Sequence, residues 1–209
     1  HGKSEGRSIT FGYKESRDAV SWANYLVERE GRDVRIILGG VSMGGATVLM
    51  AGGLDLPRNV RGIIADCPFT SPREIFVSVM GKMKIPTWML WGANLYARLF
   101  AGFSIDGAST VEALKTCTLP LLIAHGEDDD FVPCWMTEEA YARCASEKQV
   151  YLVEGAGYGM GYLVGKAQVK PALLGFFREH LSKKEEVAIE VVDTEAPTIK
   201  LRHADSKLV

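Results

Sequence analysis

The chain has 209 residues, 47% hydrophobic and 24% charged, with a formal net charge of −2. That is the balance of one globular domain of ordinary size, large enough for a real core. A charge so near zero points neither to nucleic acid nor to an anionic membrane surface, and no apolar run approaches the ~18 residues that a bilayer span needs. Four cysteines, Cys67, Cys117, Cys134 and Cys144, include no C-x-x-C pair, so they read as mostly buried thiols with no metal and no cofactor implied. The chain opens at His1 in a polar Gly/Ser loop without an initiator methionine, which reads as a cut made inside a larger protein.

In chain order, the first element is a helix over residues 16–30, where Ala19, Trp22, Ala23, Leu26 and Val27 recur at helical spacing and Gly31 is a fitting stop. Residues 34–38 form a β-branched run short enough for a strand, ending at Gly39-Gly40, and residues 46–51 suit a buried helix. Further strands are predicted at 60–67, 119–124 and 149–153, separated by helical segments, the last from about 168 to 181. Strands alternating with helices imply βαβ units and a parallel sheet. Between Ser71 and Thr116 the alternation breaks. This stretch, rich in Met, Trp and Phe, is too long for a simple connection and reads as a helical insertion. Its large side chains either fill core or line an apolar substrate cleft. After Leu181 comes a charged cluster at 183–186, then a short predicted strand at 187–192, so 182–209 is read as a tail to a domain spanning 1–181.

One motif carries chemistry. Gly40-Val41-Ser42-Met43-Gly44 matches G-x-S-x-G directly after a predicted strand and before a predicted helix, the setting of a nucleophile elbow. The serine sits at a sharp turn so that its hydroxyl projects above the sheet, and Gly40 and Gly44 are expected to flank it because side chains there would collide. The backbone N–H of Met43 would point to where an oxyanion forms.

With that motif the chain resembles the α/β-hydrolases, and within them a bacterial branch often described as serine aminopeptidase-like. The likeness runs through His1 to Gly6, Ile9-Thr10-Phe11-Gly12 with Glu15, Gly40 to Gly45, Ile64-Ala65-Asp66-Cys67, Thr70-Ser71, and His125-Gly126-Glu127-Asp128-Asp129-Asp130-Phe131-Val132-Pro133. It implies a partial α/β-hydrolase fold, lacking its first strands and carrying a helical cap at about 71–116. The resemblance makes Asp129 the acid of a catalytic triad, with Asp128 and Asp130 each one register step away, and His125 a structural residue. The base should follow the last strand, in Glu154-Gly155-Ala156-Gly157-Tyr158-Gly159, and there the histidine position holds Tyr158. His180 and His203 lie too far downstream to substitute. A phenol holds its proton at neutral pH, and loss of a triad base costs on the order of 10⁶ in turnover.

Two functions therefore stand side by side. One is a serine hydrolase acting on a small ester, amide or peptide through Ser42, with Asp129 orienting the base and little or no activity as written. The other is a non-catalytic relative that keeps the fold as a binding module. The family's early strands would flank the nucleophile strand. Without them residues 34–38 form an open edge, expected to pair with a second copy of the chain or with the tail strand. The expected location is cytoplasmic.

Overall fold

The structure, a computed structural model, describes residues 8–182 together with the backbone of 187–192 and 198–203. The opening loop, the charged cluster at 183–186 and residues 193–197 and 204–209 lie outside the described residues. Four strands, β1 (Ile36–Val41), β2 (Val60–Asp66), β3 (Leu121–Gly126) and β4 (Lys148–Val153), form one parallel sheet in chain order. The predicted strands are all present. β1 starts and ends later than the residue pattern suggested, running through Gly39 and Gly40 to Val41. Those glycines stay extended because Gly40 and Val41 still pair with Ala65 and Asp66.

The helices are α1 (Glu15–Glu30), α2 (Met43–Ala51), α3 (Pro72–Lys82), α4 (Met89–Tyr96), α5 (Thr110–Thr116), α6 (Trp135–Arg143), α7 (Gly161–Val164) and α8 (Lys166–Leu181), with a π-helical turn, Ala97–Ala101, continuing α4. They cover both faces of the sheet. On one, Val48 and Leu49 of α2 pack with Ile63, Ala65, Leu114 and Leu121. On the other, Val169 of α8 packs with Ala124 and Val153, and the Phe176 ring lies so close to Gly62 that a Cβ there would meet it at 2.7 Å. A two-faced cover is what makes β3 buried at all six positions.

Between β2 and β3 the chain is helical throughout. Ser71 and Ser109 start α3 and α5, each accepting a hydrogen bond from the backbone of the glutamate three residues on, Glu74 and Glu112. The aromatic and methionine side chains of this stretch do not fill core as one reading expected. Phe103 is buried, but Met83, Trp88, Met89, Trp91 and Phe100 are exposed. A concavity between Ser71 and Ser109 is lined by Arg73, Glu74, Asp106 and Glu112 together with Ile105, Ala108 and Val111.

In the tail, the predicted strand forms as β5 (Val187–Val192) and pairs antiparallel with β6 (Thr198–His203), a second strand the sequence pattern did not reveal. These two make their own sheet, so among the described residues the tail strands do not pair with β1. No helix among the described residues is long and apolar enough to cross a membrane.

Candidate active site

The parallel sheet brings the carboxyl ends of β1, β2, β3 and β4 to one rim, and the residues singled out by sequence gather there. Ser42 follows β1 as the cap residue of α2, with φ 54° and ψ −115°, a left-handed conformation that L-residues adopt only under constraint. The constraint is visible: Ser42 N–H donates to Asp66 C=O at 2.8 Å, and Ser42 C=O accepts from Ala46 N–H at 2.9 Å. Gly40 is obligatory because a Cβ would lie 2.2 Å from the Gly44 backbone. Gly44 is not: a Cβ there would meet nothing within 4 Å, which corrects the expectation that both glycines avoid a collision. The second close approach is at Gly45, where a Cβ would lie 3.1 Å from Asp66 O. Met43 is the first residue of α2, so its N–H has no partner within the helix.

The loop after β3 carries three consecutive aspartates, and burial separates them. Asp129 is 6% exposed while Asp128 and Asp130 lie in solvent. Asp129 Oδ1 accepts from the N–H groups of Phe131 and Val132, each at 2.8 Å, which fixes the carboxylate. Its Oδ2 is buried without a hydrogen-bond partner. His125 lies 3.4 Å from that oxygen, but burial pushes its pKa down and leaves the ring neutral. Its Nε2 faces Val132 C=O at 2.9 Å, an acceptor only, so the proton sits on Nε2 and Nδ1 accepts from Thr137 Oγ1 at 2.7 Å. His125 is thus spent on local structure.

The loop after β4 is held against this one by contact of backbones. Asp128 N–H donates to Ala156 C=O at 3.0 Å, and a Cβ on Gly126 would lie 2.1 Å from that same carbonyl. Gly155 and Gly159 take left-handed φ values of 73° and 67° on either side of Tyr158. The turn so formed delivers the Tyr158 hydroxyl to Ser42, donating to Oγ at 2.6 Å across 116 residues of chain. The Phe131 ring meets the phenol edge-on at 5.0 Å. His180 does not reach this place: it packs on Phe176, which covers Gly62 near the opposite end of β2, while the His203 side chain lies outside the described residues.

Two residues at the rim were part of the sequence likeness without a role assigned. Burial, and then the charge of Asp129, push the Asp66 carboxyl up to about 6. Its Oδ1 is buried without a partner and lies where a Cβ on Gly161, just past the Tyr158 turn, would be 3.1 Å away. The signal in the sequence was a carboxylate closing an apolar strand. Beside it, burial and the Asp66 charge push the Cys67 thiol up to about 12, so it stays protonated and is no rival nucleophile to Ser42.

Comparison with known proteins agrees with this architecture. The chain is 27% identical over 164 residues to the uncharacterised protein YqkD of Bacillus subtilis (strain 168), covering 78% of this chain and 54% of that one. It is 26% identical over 165 residues to the uncharacterised protein Rv2307c of Mycobacterium tuberculosis (strain ATCC 25618 / H37Rv), covering 79% and 52%. The chain therefore spans about half the length of these relatives. Among solved structures, the Pyrococcus furiosus esterase Pf2001 superimposes with TM-score 0.65 at 21% identity, covering 87% of this chain and 67% of that one. The Pyrococcus horikoshii acylaminoacyl peptidase does so with TM-score 0.61 at 16% identity, covering 84% and 29%. These structural likenesses establish the α/β-hydrolase fold. Residues 8–184 match the prolyl oligopeptidase family, and the chain belongs to that family of serine hydrolases.

Proposed function

We propose that the chain is a serine hydrolase for a small ester, amide or peptide in which Ser42 is the nucleophile, Asp129 the acid and Tyr158 the occupant of the base position. The Met43 N–H would receive the oxyanion. As written, it turns over little or nothing. One observation carries this reading: the Tyr158 hydroxyl donates to Ser42 Oγ. Attack on an acyl carbon requires Ser42 to give its proton to a neighbour, and a phenol already donating to that oxygen is a poor acceptor. Asp129 Oδ2 meanwhile keeps a free lone pair, the feature an imidazole N–H in this turn would use. The domain of 1–181 with its cap at about 71–116 is part of the same reading. The fold's solved relatives, named as an esterase and an acylaminoacyl peptidase, are in keeping with an acyl substrate.

The Tyr158–Ser42 hydrogen bond equally favours a second reading, a non-catalytic module that keeps the rim but not the chemistry. Hydrolysis of a short-chain nitrophenyl ester separates them. The parent chain and Ser42→Ala should give the same slow rate, and Tyr158→His should raise it at least about 10²-fold in a Ser42-dependent way. A Tyr158→His chain no faster than the parent favours the binding module. A parent chain whose efficient hydrolysis disappears in Ser42→Ala removes the claim of inactivity.

A further inference from the structure

The helix α4 and the π-turn after it are built inside out. Leu90, Asn94 and Ala97 recur at spacings of four and three and form the inward face, with Leu90 and Ala97 buried. Asn94 is held there by hydrogen bonds with Asp106 at 2.7 Å and from Ile105 N–H at 2.9 Å. Outward stand Trp88 and Trp91, each 77% exposed, Phe100 at 72%, Leu99 at 69%, Tyr96 at 64% and Leu95. A helix on a globular body ordinarily shows the reverse, with its apolar stripe turned inward. So much contiguous apolar surface marks an interaction site.

Charge identifies the occupant. Residues 75–105 contain Lys82, Lys84 and Arg98 and no Asp or Glu, on a chain whose net charge is −2. All three cations are exposed, so this segment is both basic and apolar at its surface, on an otherwise acidic protein. We propose that this face docks on the surface of an anionic lipid bilayer. The indoles, the phenol and the Phe100 ring would sit at the headgroup boundary while the cations meet lipid phosphates. With eight residues in α4 and five in the turn, the element lies on the bilayer and does not span it. A symmetric contact with a second copy fits less well, because each cation would meet a duplicate positive face. The net charge of the whole chain conceals this local imbalance, which is why composition alone gave no sign of it.

Vesicle flotation of the whole chain tests the proposal. It should float with phosphatidylcholine vesicles containing a quarter phosphatidylglycerol, with a blue shift of tryptophan emission, and at least about tenfold less with phosphatidylcholine alone. The triple change Trp88→Ser, Trp91→Ser, Phe100→Ser should abolish flotation. Charge reversal at Lys82, Lys84 and Arg98 should lower it at least about tenfold, as should 0.5 M salt. All these side chains face solvent, and far-UV circular dichroism checks that both variants keep the fold. Absence of flotation, or variants that float like the parent, would overturn the proposal. So would light scattering that shows a concentration-dependent dimer dissolved by the same Trp and Phe changes, since the occupant would then be a second copy.

Discussion

Two loops meet at Ser42, and they are built alike. The elbow between β1 and α2 is closed by backbone contact at Gly40, where a Cβ would come within 2.2 Å of Gly44. The turn after β4 is closed by backbone contact at Gly126, where a Cβ would come within 2.1 Å of Ala156 O. Both hold left-handed residues at their tips, Ser42 in one and Gly155 and Gly159 in the other. They differ in what they carry: the first presents the Ser42 hydroxyl, the second a phenol that donates to it. The delivery of side chains to the rim is thus a property of the backbone, and under the proposed function the chemistry there rests on a single position. Whether Tyr158 is exchanged for a base is a question for one side chain, since the loop that would aim it is already in place.

The largest effect should come from breaking the second loop at its contact. Gly126→Ala forces a methyl into the Ala156 carbonyl and should destabilise by about 3 kcal/mol or more, read from denaturant midpoints. Gly44→Ala, with nothing near its Cβ, should stay within about 1 kcal/mol of the parent, neutral or stabilising, since alanine is the better helix former. Equal losses at both positions would mean that the space beside Gly44 is not open.

A smaller effect tests the ground beneath both loops. The Asp66 carboxyl is pushed from 3.8 up to about 6 in the folded chain. A folded-state pKa above the unfolded one means that the native state binds the proton more tightly. This group therefore favours folding most below about pH 3.8, and that contribution is lost as pH rises through about 6. Asp66→Asn should accordingly gain on the parent between pH 4 and pH 7.5, by about 1–2 kcal/mol after allowance for partial exposure. A gap that shrinks over that range would show that the Asp66 carboxylate is held by a partner. The smallest expected effect is the coupling of Phe131 to Tyr158. A double-mutant cycle with Phe131→Ala and Tyr158→Ala should return about 0.5–1 kcal/mol, or nothing if the phenol is aimed by its loop alone.

Much of this was legible in the residues because it is local. G-x-S-x-G between a strand and a helix fixes the elbow, and H-G-x-x-D after a strand fixes the acid loop. Which of Asp128, Asp129 and Asp130 is buried is set by the surrounding fold, which no local pattern encodes. The same holds for Asp66: its environment is made by Asp129 and by the Gly161 backbone, 63 and 95 positions away in sequence. The outward face of α4 misled for a related reason. Its Trp, Leu and Phe spacing is that of a helix, but spacing does not say which side of the helix the body of the protein lies on. That is decided by Asn94, whose partners sit beyond the next turn.

The order of strands in the sheet is the order of strands in the chain. During synthesis each strand therefore emerges beside a neighbour already made, so the sheet can grow in one direction without threading. Ser42 emerges with its strand and waits through the helices after β2 for the partners that complete the rim. The Asp129 loop arrives with β3, and Tyr158 only after β4 has docked. The elbow at Ser42 is thus made 116 residues ahead of the turn that carries Tyr158, and the last turn of the rim to form is the one whose phenol reaches the serine.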